Sequence, residues 1–222
     1  MLRDLGTLAV HGGSRLIPRF ILPALLAVGI IVASGSVAFA QTDGAINFVK
    51  DLGARAIDTL KDGSLDQEAR KARFDQLLQN GFDMRLIGRF VLGRNWRALT
   101  PEQQENYLAL FESYVLEIYA SRLVDYSGEK LKVLSEQAID DKDVLVNSKI
   151  GREDAPGFDV VWRVRSGGDR YRVIDVMVEG VSLLVTQRAE FAAVIQRKGL
   201  DGLFKMLRDR VNARHGKTAA AS

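Results

Sequence analysis

Residues 157–178 read GFDVVWRVRSGGDRYRVIDVMV, and their alternation decides the fold. Phe158, Val160, Trp162 and Val164 fall on one face of an extended chain, with Asp159, Arg163 and Arg165 on the other. Successive side chains of a strand point to opposite sides, so this is a strand with one buried face. Ser166-Gly167-Gly168-Asp169 predicts a hairpin turn. Beyond it Tyr171 and Val173 continue the inner face, with Arg170 and Arg172 outside. After Ile174 the alternation blurs, which predicts a bulge or burial on both sides. Upstream, Lys142–Ile150 repeats the pattern through Val144, Val146 and Ile150. Strands covered on one face only form antiparallel sheets.

The rest of the chain supplies the cover. Residues 42–126 read as helices, 129–178 as strands, and 187–214 as a closing helical stretch. Ile46, Val49, Leu52, Ala56, Ile57 and Leu60 recur at helical spacing. A second helix runs from Asp66 to Asn80 with Phe74, Leu77 and Leu78 inward, and Gly81 closes it. A third, Asp83–Leu92, places Met84, Ile87 and Val91 on one face. Thr100-Pro101-Glu102-Gln103 predicts a capping box with proline in the first helical position. The helix that follows, expected to reach Tyr126, carries an apolar arc wider than the ~100° stripe that faces one core. Either it is central to the core or part of its surface lines something. The expected fold is α+β: a curved antiparallel sheet of four strands, with helices packed over its concave face.

Composition narrows the function. Arg3, Arg15 and Arg19 precede an apolar run from Phe20 to Ala33, and Ala38-Phe39-Ala40 follows. A basic region, a short apolar region and an A-x-A site predict a Sec signal peptide cleaved after Ala40. An uncleaved anchor is the other reading, but the run is short against the ~20 residues that span a bilayer. The expected organisation is a signal peptide over 1–40, one domain over 41–214 and a frayed tail over 215–222. The chain's formal net charge is +3, and without residues 1–40 it falls to +1, with 28 Lys and Arg against 27 Asp and Glu. No long basic block occurs, so the sequence gives no support for nucleic-acid binding. With no Cys, there is neither a disulfide, a thiol nucleophile nor a thiolate metal site. The two His residues are His11, in the signal region, and His215, in the tail. A Ser-His-Asp triad and a His-ligated metal are thus not expected, and no glycine-rich phosphate loop is present. No cofactor is expected.

Four stretches point further: Leu92-Gly93-Arg94-Asn95-Trp96-Arg97-Ala98-Leu99-Thr100-Pro101-Glu102-Gln103; Tyr119-Ala120 with Tyr126-Ser127-Gly128-Glu129; Asp175-Val176-Met177-Val178-Glu179-Gly180-Val181-Ser182; and Gly199-Leu200-Asp201-Gly202-Leu203. In that order, over roughly residues 45–210, the chain resembles the toluene-tolerance family, the periplasmic phospholipid carriers of the Mla pathway of Gram-negative bacteria. The resemblance implies a nuclear-transport-factor-like cone with a deep apolar pocket between sheet and helices. It implies a monomer that takes lipid tails into the pocket and leaves the head group at the mouth. It also implies two partners: an outer-membrane lipoprotein–porin complex, and an inner-membrane ABC transporter with an MCE-domain ring.

On that reading the pocket wall is expected from Phe90, Tyr119, Leu123, Trp162, Val164, Tyr171, Val173, Val181, Leu183, Phe191 and Val194. The competing reading of each is ordinary core. Arg94 and Arg97 are candidates for a head-group phosphate at the mouth, or a solvated pair. Glu179 is placed at the mouth, where a partner would dock. Two other functions stay open: a binding protein for another apolar solute, such as a polycyclic lipid or an aromatic compound, and a small isomerase of the same fold type using Asp175 and Tyr171. Those two are four apart on one strand, ~13 Å if it is straight, too far to share a reacting atom.

Overall fold

The computed structural model describes residues 38–122, 128–152, 154, 156–168 and 170–219. Helices come first: α1 (Ala38–Lys61), α2 (Gln67–Gly81), α3 (Met84–Leu92), a 3₁₀ segment η1 (Gly93–Ala98) and α4 (Pro101–Arg122). Strands follow: β1 (Lys130–Ala138), β2 (Asp143–Gly151), β3 (Phe158–Ser166), β4 (Tyr171–Val178) and the short β5 (Val181–Ser182). Helix α5 (Leu183–Ala219) closes the chain. The fold is α+β, and its antiparallel sheet has the order β1-β2-β3-β4-β5, one two-residue strand more than expected. Helix α5 starts at Leu183 and reaches Ala219, so helix replaces the frayed tail expected over 215–219. Residues 1–37 of the expected signal peptide lie outside the described residues, and the expected cut after Ala40 falls within the first turn of α1.

The helix starts follow local chemistry. Asp66 accepts the N–H of Ala69 at 2.8 Å, and Asp83 that of Leu86 at 2.9 Å. At α4 the capping box is reciprocal: Gln103 N–H donates to Thr100 Oγ1 at 3.2 Å, and Thr100 N–H to Gln103 Oε1 at 2.9 Å. Asp83 N–H also donates to the Val173 carbonyl at 3.0 Å, fixing the α2–α3 connection to β4.

The inner face of the sheet is shared between two packing partners. Helix α1 covers part of it, where Ala45 and Val49 pack with Val144, Val146 and Val164. The bulge expected in β4 is present: Val164 pairs with Val173, but Arg163 pairs with Asp175, which leaves Ile174 as the extra residue. A second core forms among α3, α4 and α5, where Tyr107, Phe111, Tyr114, Phe191, Leu203 and Leu207 are buried. The rings of Phe111 and Phe191 meet edge-on with centroids 6.1 Å apart. The buried Tyr107 hydroxyl donates to the Gly88 carbonyl at 3.0 Å, and desolvation pushes its pKa well up. A side chain at Gly88 would meet Leu108 at 2.8 Å, so α3 and α4 approach closely only because this residue lacks one.

On the outer face, Asp143 is fully buried beneath two arginines. Arg163 Nε and Arg165 Nε donate to its carboxylate at 3.0 and 2.6 Å, and the two guanidinium groups hold its pKa below the usual carboxylate value. From the sequence, Arg163, Arg165 and Arg172 are expected to form a basic patch on the outer sheet face, solvated or docking a partner. The structure corrects this: the first two are bound to Asp143, and Arg172 donates to the Asn80 carbonyl.

Candidate functional site

Between the α1–α2 pair, the α3–α4–α5 group and the sheet lies a cavity of about 320 Å³. Each element lines it with one face. Helix α1 contributes Leu52, Gly53 and Ala56, and α2 contributes Phe74, Leu77 and Leu78. Helix α3 adds Met84, Ile87 and Val91, which its 3.6-residue period sets on one side. Phe111, Val115 and Tyr119 come from α4 at successive intervals of four. The wide apolar arc of α4 is thereby explained. One flank is core, through Tyr107 and Tyr114, another is cavity wall, and Phe111 belongs to both.

The sheet supplies Trp162 from β3 and Ile174, Asp175 and Val176 around the β4 bulge. A regular strand presents alternate residues to one face, but the bulge lets three consecutive ones border the cavity. The polar groups among them are committed elsewhere. Trp162 Nε1–H donates to Ser148 Oγ at 2.9 Å, and that hydroxyl donates to the Val160 carbonyl at 2.9 Å. The indole therefore faces the cavity with its N–H satisfied. Asp175 caps α5: its Oδ2 accepts the Ser182 hydroxyl at 2.7 Å and its Oδ1 accepts Leu184 N–H at 3.2 Å. Ser182 Oγ accepts Val185 N–H at 3.0 Å, which makes it the N-cap. Among the described residues, Asp175 and Gln187 are the only side chains on the wall that carry an amide or a charge. Such a site can exclude water and hold apolar matter. It presents no nucleophile beside a base, and among the described residues no acidic or histidine cluster suits a metal.

The expected wall residues divide. Tyr119, Trp162 and Leu183 are on the cavity wall. Val164 and Val173 are fully buried rather than on it, because α1 packs over the first and the α2–α3 connection is hydrogen-bonded at the second. Tyr171 packs tilted against Phe48 of α1, ring centroids 6.0 Å apart, and is not on the cavity wall with Asp175, so the cavity does not bring together the pair an isomerase needs. Phe191 is solid core, and Val194 packs against the same core. Phe90 and Val181 are exposed, at 37% and 58%. Leu123 lies outside the described residues. Arg94 and Arg97 are exposed on η1 and do not line the cavity. Glu179 sits in the β4–β5 turn with φ 49°, where its carboxylate accepts the Asp159 N–H and its own N–H donates to the Asp159 carbonyl at 2.9 Å. That makes it a clamp between the end of β4 and the start of β3, and it is absent from the cavity wall. The wall residues from α1, α2 and α3 were readable as inward-facing. No sequence signal said that they face a void.

Known proteins show the same construction. In a solved structure of a phospholipid-binding protein from Ralstonia solanacearum, in complex with a phospholipid, 97% of that chain aligns with 76% of this one, at TM-score 0.66 and 26% identity. The intermembrane phospholipid transport system binding protein MlaC of Haemophilus influenzae is 25% identical over 126 residues, which is 54% of this chain and 58% of that protein. The toluene tolerance protein ttg2D of Pseudomonas putida is 27% identical over 105 residues, 47% of this chain and 49% of that one. The chain thus spans about half the length of these curated relatives. The family model described as MlaC protein matches residues 50–209, most of the chain and every residue of the cavity wall, so the chain belongs to the MlaC family.

Proposed function

We propose that this protein is a periplasmic phospholipid carrier that holds acyl tails in the cavity and leaves the head group outside. The observation that carries the reading is the wall itself: about 320 Å³ lined almost wholly by aliphatic and aromatic side chains, with Trp162 and Asp175 hydrogen-bonded within the protein. A volume of that order suits a ligand, since pockets run from about 300 to 1,000 Å³. A diacyl lipid exposes ~30 methylenes, each worth about 0.8 kcal/mol when withdrawn from water, so it does not cross an aqueous space unaided. A dry cavity carries it without any catalytic group, and the protein is not an enzyme on this reading. Its partners are the outer-membrane lipoprotein–porin complex and the inner-membrane ABC transporter with an MCE-domain ring. Export by the Sec route with cleavage after Ala40 places it between them. Among the described residues no helix is long and apolar enough to cross a membrane.

Native mass spectrometry of gently purified protein tests the reading, followed by organic extraction and lipid analysis. A bound phospholipid is the expected result. A spectrum of empty protein only, or an extract holding a polycyclic or aromatic solute instead, sinks it.

A further inference from the structure

The chain's positive charge is segregated onto one group of elements. Residues 84–98, which form α3 and η1, hold Arg85, Arg89, Arg94 and Arg97 and no acid. Residues 183–213 of α5 hold six cations against Glu190, Asp201 and Asp209. These two stretches net +7, although residues 41–222 as a whole net +1, so everything else nets −6. Helix α3 packs against α5, which makes the two stretches neighbours. Part of the charge is used internally, because Arg85 is paired with Glu105 and Lys205 with Asp209. Arg94 and Arg97 are exposed and have no ion-pair partner among the described residues.

The same side bears exposed apolar groups. Phe90 of α3 is 37% exposed and Val185 of α5 is 56% exposed. Arg188 joins them: its guanidinium lies 4.7 Å from the Phe90 ring centroid and against Gly93 at the start of η1. Apolar side chains set among arginines fit an anionic lipid surface, where rings and methyls enter the acyl boundary and cations meet phosphates. The location fits as well. Ile87 and Val91 of α3, and Leu184 and Gln187 of α5, wall the cavity, so this surface lies one helix away from it.

We propose that the α3–η1–α5 face docks the protein reversibly on an anionic phospholipid surface, Phe90 and Val185 entering the interface and Arg94, Arg97 and Arg188 meeting lipid phosphates. The proposal rests on the carrier reading, because both partner complexes of that reading sit in phospholipid membranes. An acidic protein would satisfy the arginines too, but phospholipid is the chemistry the cavity already calls for.

The test is flotation of the purified exported protein with phosphatidylethanolamine–phosphatidylglycerol vesicles and with pure phosphatidylcholine vesicles. Binding is expected to the first and not the second, and it weakens as salt rises. Arg94→Gln and Arg97→Gln each weaken it about fivefold, the ratio equivalent to about 1 kcal/mol per arginine at an anionic surface. Phe90→Ala weakens it as well. Lys50→Gln on α1 and Lys132→Gln on β1, both exposed, leave it unchanged. Native mass spectrometry of the arginine variants is expected to find the cargo lipid retained, which separates docking from loading. Wild-type protein that ignores the anionic vesicles overturns the proposal, as do arginine variants that bind them undiminished. Protein that ignores vesicles yet binds an acidic protein through these residues overturns it in favour of that partner. A lipid-free wild type overturns the carrier reading instead, whatever the vesicles show.

Discussion

Asp143 and Ala56 show how single residues divide between holding the fold and shaping the site. Asp143 is buried and accepts four hydrogen bonds from Arg165 and Arg163, which lower its pKa. A carboxylate with a depressed folded pKa adds stability that is complete above its unfolded value of about 3.9 and is lost as pH falls through the folded value. Wild-type protein is therefore expected to lose stability in acid below about pH 4, and Asp143→Asn to lack that contribution. The variant is expected to cost about 1–2 kcal/mol at neutral pH, less than a fully buried pair, because both arginines keep access to water. Urea melts at neutral and acid pH check both statements. Ala56 is a cavity-wall residue on α1. Ala56→Phe is expected to expel most of the bound lipid with no loss in melting temperature, since the ring has space to enter. In a packed core the same enlargement would cost about 1–3 kcal/mol. Circular dichroism with lipid analysis of the same sample distinguishes the two.

Helix α5 is two rods joined at Gly199, whose φ of 69° and ψ of −178° interrupt it. That conformation is essentially restricted to glycine. Gly199→Ala is expected to cost about 1–3 kcal/mol by thermal or urea unfolding, though a side chain there would meet nothing. A melting point equal to wild type would show that the kink relaxes freely. Elements like this one mark how far the sequence could be read. The capping box at Thr100, the β3–β4 hairpin and the break in alternation after Ile174 all depend on neighbours in sequence, and all are present. The site is different, because periodicity says which face is apolar and not whether another element fills the space opposite. Val164 and Trp162 share one face of β3, yet α1 covers the first and the second borders the cavity. Phe90 and Val91 are adjacent on α3, and one helical step sends the first to solvent and the second to the wall. Leu183 is on the wall but Val181 is exposed, because α5 begins between them, capped by Asp175 and Ser182.

At the scale of the whole molecule, a lipid cargo of the kind proposed would act on stability by mass action. A ligand held only by the folded state stabilises it by about 2.7 kcal/mol at a hundred times its Kd. For a domain of this size each kcal/mol moves the melting temperature by about 2–4 °C. Removing lipid with detergent, then exchanging the detergent away, is therefore expected to lower the melting temperature by roughly 5–10 °C. Adding back phospholipid is expected to restore it, and scanning calorimetry before and after follows both steps. Unchanged melting on stripping would mean that the tails do not occupy the folded interior.

The cavity has one more consequence, for how the protein comes into being. Apolar space inside a protein costs stability as it grows, so about 320 Å³ lined by apolar side chains is costly to leave unfilled. No cysteine is present to cross-link the chain against that deficit. If the protein carries lipid as proposed, that lipid is an exchangeable part of the hydrophobic core, one not encoded in the gene. On the same reading, a chain that folds without lipid lacks part of its core, and meeting a first lipid completes it. Each later delivery briefly returns the protein to that unfinished condition.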